Sequence, residues 1–558
     1  MRRTTCNKMT MLWLAALAAD LLATEAAKAD FTFGTPVNLG PPVNTVSIDQ
    51  IPRLSADGLE LYFDSDRPGS YGYWDLYVSV RDSKDALWGT PENLGPVVNS
   101  PRPDGGAFLT VDGLELYFHS HNRPGGRGSF DIWMTKRETR GAPWGEPVNL
   151  GSAVNGPGLE GFPNLSPDGL KLYFGSDRSD GYGDGDIWVA SRSTVGASWG
   201  TPVNLGPVIN GPAEEAAVFL SRDGLLLLFS EDVSGPFLPG GQGKADMWLT
   251  IRRALSDPWT APVNLGPRVN SQYYDYNPMV SPDKKTLYFC SDRPGGRGNL
   301  DIYQAAVIPV VDLNGDGRVN GTDILVMMDS WGVDDPLCDI GPTPWGDGVV
   351  DVEDLKVLAG YVGEDLDDPT LVSHWPLDEA EGFVAADSAG DCDGVLLKPL
   401  WRPDAGHIGG ALELDGASMM MAPLVVDPAI GPFSVLVWVK GGSPGQVIIS
   451  QKAGANWLML DPATGALTTE LKSGGRSGTV LYSDAIISDG TWHRVSFTWD
   501  GSTRSLYVDD MLVAEDAQDK LASCTGGLNI GAAHDMAPDT HWIGLIDDVR
   551  IYNRAVRP

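Results

Sequence analysis

Five oxygen-bearing residues stand close together at Asp312, Asn314, Asp316, Asn320 and Asp323, in the string "DLNGDGRVNGTD". They take positions 1, 3, 5, 9 and 12 of a twelve-residue loop, with Gly317 at the sixth place and the backbone carbonyl of Arg318 at the seventh. Calcium takes six to eight hard oxygens, and the sixth-position glycine makes the sharp turn around the ion. A helix is expected to follow, over "TDILVMMDSWG". A second loop, "GDGVVDVEDLKVLAGYV", offers Asp347, Asp351 and Asp354 at the fifth, ninth and twelfth places. Its strict register puts Thr343 and Trp345 at the first and third places, both poor ligands; Asp339 fills the first place if the chain bulges. The alternative for the first loop is an acidic, solvated turn; the second loop is altered and suits only weak binding.

A second set of acids is spread more widely. Asp49, Asp104, Glu160, Glu215 and Asp275 each stand six residues before an "S/T-x-D" turn, and blade-like unit four doubles its acid as Glu214–Glu215. Arg67, Arg123, Arg178 and Arg293 recur after the next strand, and unit four lacks that arginine. Two readings stay open. Each acid pairs with its arginine as structure, or the acids face a channel mouth and bind a cation or polyhydroxylated ligand, unit four most of all. Five near-equivalent acids suit a symmetric role better than catalysis, which needs carboxyls in unlike environments.

These acids belong to a repeat. "LSADGLELYF", "LTVDGLELYF", "LSPDGLKLYF", "LSRDGLLLLF" and "VSPDKKTLYF" begin at 54, 109, 165, 220 and 280. Each is followed by a Gly-rich turn and a strand such as "FDIWMTK". Four units then add a Trp and "PVNLG" or a close copy. Asp-Gly suits a tight hairpin, and the aromatic and β-branched residues suit pleated strands. Four short strands per unit of this length describe a propeller blade. The fifth unit lacks its last strand, and "FTFGTPVNLG" at 31–40 supplies it. The repeat therefore predicts a five-bladed propeller over 30–308, closed by its own N-terminal strand. "SPDGLKLYFGSDR…DIW" resembles the WD-like repeats of TolB-type periplasmic proteins, which implies the fold and little about activity.

The two acidic loops, each with its helix, resemble a type I dockerin over 309–368. That resemblance implies calcium binding, docking onto a cohesin-like domain, and an extracellular polysaccharide context. A calcium-clamped linker is the other reading. Residues 369–558 alternate apolar and polar positions over short strands, which predicts a β-sandwich. "SHWPLDEA", "FSVLVWVK", "DGTWHRVSFTWDGSTRSLYVD" and "GLIDDVRIYNRAV" resemble the concanavalin-like, laminin-G-type jellyroll. Such domains bind glycans or proteins, often with a structural calcium; Asp547 and Asp548 are candidates for it. Trp457 and Trp542 are sugar-stacking candidates, with a core role the stronger reading.

Bulk properties set the context. Residues 1–29 read as a signal peptide: Arg2, Arg3 and Lys8, a short apolar run, and "AKA" before Asp30. The apolar run is too short to span a bilayer, so a secreted or periplasmic location without an integral membrane segment is expected. The formal charge of −34 argues against nucleic acid and anionic membranes as partners. Cys392 and Cys524 fall in one domain and are candidates for a disulfide; no C-x-x-C exists. The expected function is non-catalytic carbohydrate binding or adhesion, with a glycan as partner. The alternatives are a glycoside hydrolase with its carboxylate site in the propeller channel, and a protein-interaction scaffold.

Overall fold

A computed structural model describes residues 31–232, 241, 243–252, 254–333, 335, 337–341, 345–346, 348–362, 368, 370–473, 479–518 and 520–558. The signal peptide expected at 1–29, and Asp347 of the second acidic loop, lie outside the described residues. The protein is mainly β, with two α-helices among the described residues, α1 (Gly321–Asp329) and α2 (Val352–Ala359). The chain divides into two compact units: Met1–Pro309 with Asp339–Gly348, and Val310–Cys338 with Val349–Pro558. The segment read as a middle module is thus shared between them.

The first unit is a five-bladed propeller. Each blade is an antiparallel sheet, and the innermost strands are Asp49–Leu54, Asp104–Leu109, Glu160–Leu165, Glu214–Leu220 and Asp275–Val280. Neighbouring inner strands touch around a closed cycle. The hairpin glycines Gly58, Gly113, Gly169 and Gly224 sit at φ between +68° and +74°, which a side chain disfavours; in blade five Lys284 holds the same conformation at +59°. The "L-Y-F" strand alternates its faces. Tyr62 packs with Phe118 and Trp133 of the next blade, whereas Phe63 packs in the cluster shared with blade five. The core is therefore a set of apolar layers between blades.

Closure follows from what the fifth repeat lacks. Val37 and Asn38 pair with Gln304 and Tyr303, and Phe31–Phe33 pairs with Val307–Pro309. This covers the outer edge of Asp301–Pro309, which would otherwise be open to a foreign strand. In the other blades an arginine stacks on the recurrent Trp, as Arg137 does on Trp144 at 4.4 Å. Phe33 takes that Trp place in blade five, and Phe31 meets Trp345 at a centroid distance of 3.9 Å. Trp345 Nε1 donates to Lys284 O at 2.7 Å. The residue that made a poor calcium ligand is thus an apolar staple on the closing strand.

The second unit holds a β-sandwich of two eight-stranded antiparallel sheets. Ile543–Tyr552 lies central in one sheet, between Ala411–Asp415 and Phe433–Gly441, and also pairs with Leu371–Trp375. Trp375, Trp457, Trp542, Phe433 and Phe497 fill the space between the sheets. Trp457 and Trp542 are fully buried, so they belong to the core and offer no sugar platform.

Candidate functional site: the propeller channel and the acidic loops

Four inner strands start on their acid and the fourth blade's starts one residue before Glu215, and each acid accepts from a loop N–H four residues earlier. Thr45 N donates to Asp49 at 2.6 Å, Gly156 N to Glu160 at 2.7 Å and Gly211 N to Glu215 at 2.8 Å. In four blades the recurrent arginine completes an ion pair: Arg67–Asp49 at 2.5 Å, Arg123–Asp104 at 3.5 Å, Arg178–Glu160 at 3.0 Å and Arg293–Asp275 at 2.5 Å. A serine opposite the acid in strand register assists, as Ser65 Oγ does to Asp49 at 2.6 Å. These four carboxylates are buried.

Blade four departs at both partner positions. Glu231 stands opposite Glu215 where the other blades have Ser65, Ser120, Ser176 and Ser291. Val233 takes the arginine place in the sequence. Glu215 is fully buried, and its Oε1 has no hydrogen-bond partner. Burial, then the charges of Glu231, Asp186 and Glu214, push its carboxyl up to about 8. A cavity of about 170 Å³ lies beside it, walled by Glu214, Asp177, Asp184 and glycines 175 and 185.

A second ring was not read from the sequence. The residue directly after "L-Y-F" varies from blade to blade: Asp64, His119, Gly175, Ser230 and Cys290. Every inner strand is bulged, and the bulge residues Ile51, Gly106, Phe162, Ala217 and Asn277 have φ between +54° and +63°. The bulge turns a backbone N–H toward the neighbouring blade. Gly106 N donates to Asp64 at 3.2 Å, Phe162 N to His119 Nδ1 at 3.2 Å, Asn277 N to Ser230 Oγ at 2.9 Å and Ile51 N to Cys290 Sγ at 3.3 Å. Burial pushes the His119 imidazole down to about 3 and the Cys290 thiol up to about 12, so both are neutral. The signal was available: one variable position inside an otherwise repeated motif.

Arg53 completes this interior. Phe108, Asn164, Phe219 and Met279 hold the equivalent places in the other blades. The Arg53 side chain reaches from blade one to blade four and donates to Val218 O at 3.3 Å, with a second bond to Pro52 O at 2.8 Å. It is 4 % exposed, and its Nε has no partner. Burial lowers its guanidinium to about 10, which leaves it charged at neutral pH.

In the second unit the loop 312–323 is closed by its own polar groups. Asp312 accepts from Asp316 N at 3.1 Å and Gly317 N at 2.9 Å. Asp323 accepts from Leu313 N at 2.8 Å and Asn320 N at 2.8 Å, and Asn320 caps α1. Asn314 and Asn320 both turn their amides to Asp316. Burial pushes Asp312 up to about 7. The loop rests on the end of the sandwich: Tyr552 Oη donates to Gly315 O at 3.0 Å, and Arg554 donates to Asp312 O. Of the second loop, Asp351 and Asp354 form a capping box on α2, and Asp339 accepts from Gly348 N at 2.6 Å. Among the described residues no three His, Cys, Asp or Glu side chains converge as a metal cluster. Cys392 and Cys524 are both free thiols, contrary to the expected disulfide. They face different carbonyls, Leu424 O and Lys452 O. Asp548 is occupied by His374 and Arg550, whereas Asp547 Oδ1 is buried without a partner.

Comparison with known proteins bears on the second unit. Residues 415–558 match the family model Laminin_G_3, the concanavalin A-like lectin/glucanases superfamily. The strands before 415 pair into the same two sheets, so the sandwich is longer than the match. No curated protein matches the chain in sequence. Solved structures similar to the chain include Trypanosoma rangeli sialidase with the inhibitor DANA, at 13% identity over 94% of this chain and 97% of that one, TM-score 0.36. Domain 4 of AbnA, a GH43 extracellular arabinanase from Geobacillus stearothermophilus, is 20% identical over 34% of this chain and 94% of its own, TM-score 0.28. Scores this low leave the fold resting on the strand pairings themselves. Among the described residues no helix is long and apolar enough to cross a membrane.

Proposed function

We propose that the chain is a secreted, non-catalytic carbohydrate-binding or adhesion protein, with a calcium-dependent, dockerin-like segment that meets a cohesin-like domain. The observation that carries the reading is the concanavalin A-like sandwich, matched over 415–558. The propeller supports it: four of its five ring acids are neutralised within their blades.

Calcium fits the loop at 312–323 by donor chemistry. Asp312, Asp316, Asp323, the side-chain oxygens of Asn314 and Asn320, and the carbonyl of Arg318 are all hard oxygens in the required order. Bound there, calcium would neutralise the carboxylates of Asp312, Asp316 and Asp323 and fix the entry to α1. In the sandwich, the unpartnered Oδ1 of Asp547 suits a cation as well; burial and then the charge of Asp548 push that carboxyl up to about 7.

The hydrolase reading draws on one observation. Glu215 and Glu231 make a carboxyl pair unlike the other four ring acids, and a carboxyl held protonated near neutral pH is what a general acid needs. The adjoining cavity of about 170 Å³ is below the range of small-molecule pockets, which weakens it.

A glycan array on the full chain, with calcium and with chelator, tests the proposal. Calcium-dependent glycan binding without turnover of arabinan or xylan is expected. Turnover lost in Glu215→Gln would replace the reading by the hydrolase. An empty array beside capture of a cohesin domain would leave only a scaffold.

A further inference from the structure

The channel end formed by the "D-G" hairpins opens on a cavity of about 650 Å³, well inside the size range of pockets for small organic ligands. Its lining is unlike the rest of the ring. Phe108, Phe219 and Met279 give apolar surface, and Arg53 gives a guanidinium. The rim carries both signs of charge. Asp112, Asp168 and Asp223 each accept a hydroxyl from their own hairpin, Thr110, Ser166 or Ser221, at 2.5–2.6 Å. Arg192, Arg222 and Lys284 stand among them. Glu115, a fourth acid of the lining, is paired with Lys136, so the rim charges offset one another, and the group that decides what enters is Arg53.

Arg53 is set for an anion. It is more than nine-tenths buried, its Nε is unpartnered, and its two hydrogen bonds go to backbone carbonyls, not to a carboxylate. The nearby Asp64 carboxyl accepts from Gly106 N–H instead of from the guanidinium, and its burial pushes it up. The Arg53 guanidinium carbon lies 6.0 Å from the centroid of the Phe219 ring, which brings charge and flat apolar surface together. A planar guanidinium takes a carboxylate by two parallel bonds.

We propose that this cavity binds a small organic carboxylate, its anionic end on Arg53 and its ring or chain against Phe108 and Phe219. The site is separate from the glycan reading of the sandwich and does not rest on it.

Isothermal titration of the full chain with benzoate and with its neutral counterpart benzamide tests the proposal. Benzoate is expected to bind, and benzamide at least about tenfold more weakly. Arg53→Met installs the residue that blade five already carries there; it is expected to weaken benzoate about tenfold or more and to leave benzamide unchanged. Phe219→Leu is expected to weaken both probes alike, since it removes ring surface and keeps the charge. If Arg53→Met fails to fold, the benzoate-to-benzamide ratio and Phe219→Leu decide between the outcomes. Equal affinity for the two probes, undiminished benzoate binding in Arg53→Met, or no benzoate binding up to about 10 mM overturns the proposal.

Discussion

Replacing Glu215 with glutamine should stabilise the propeller at alkaline pH and leave it nearly unchanged under acid conditions. In the fold the Glu215 carboxyl titrates at about 8, against an ordinary value of 4.5. Below pH 4.5 it is protonated in both the folded and the unfolded chain, so it has no effect on their balance. Between 4.5 and 8 the unfolded chain releases the proton while the fold retains it. Stability therefore falls as pH rises across that window and levels off above it. The difference of about 3.5 pH units sets a ceiling of about 5 kcal/mol; relaxation and water entry beside the small cavity bring the expected effect to about 2–3 kcal/mol. Glutamine keeps an acceptor for Gly211 N–H, and its amide donates toward the carboxylate opposite. At about 2 °C or more per kcal/mol for a domain of this size, the propeller transition in scanning calorimetry should rise by about 5 °C at pH 8.5 and by less than about 2 °C at pH 4.5. A shift of the same size at both pH values, or destabilisation at pH 8.5, would refute the reasoning.

Other consequences are testable in the same calorimeter. Arg67→Met strands the buried Asp49 carboxylate and should cost about 3–5 kcal/mol, whereas the Asp49→Asn, Arg67→Met double variant should recover much of it. Trp345→Ala removes the staple on Phe31 and should cost about 3 kcal/mol in the propeller transition; an unchanged transition would show that the segment at 345 is dispensable for closure. Chelation should lower the transition of the sandwich unit, and Asp312→Ala should abolish the part of that response due to the loop at 312–323, read as the difference in melting temperature with and without calcium.

What was legible in the sequence was what the repeat carries. Five "D-G" hairpins counted the blades, and the misplaced "PVNLG" at 36–40 fixed the closure, because an outer strand must pair somewhere. Arg–acid pairing could be anticipated from spacing, as could the missing arginine of blade four. Glu231 could not be singled out in advance, because its meaning comes from strand register: it faces Glu215 only once the hairpin is aligned. Arg53 was hidden for a related reason. A bulge in the middle of each inner strand changes which residues face inward, and simple alternation does not forecast a bulge. Trp345 was read in the frame of a calcium loop, and only the fold shows it buried on an aromatic pair.

The closure sets an order of events for the newborn chain. Phe31 belongs to the first strand of the described residues, and its partner Pro309 lies at the end of the fifth blade. The growing chain must hold this apolar strand unpaired until all five blades have been made, and its cap at Trp345 emerges later still. Pairings so distant in sequence form slowly. During that interval the propeller is a row of blades with both ends open, vulnerable to proteases and to strands of its neighbours. Its assembly would profit most from helpers that hold unfolded chains until the ring closes.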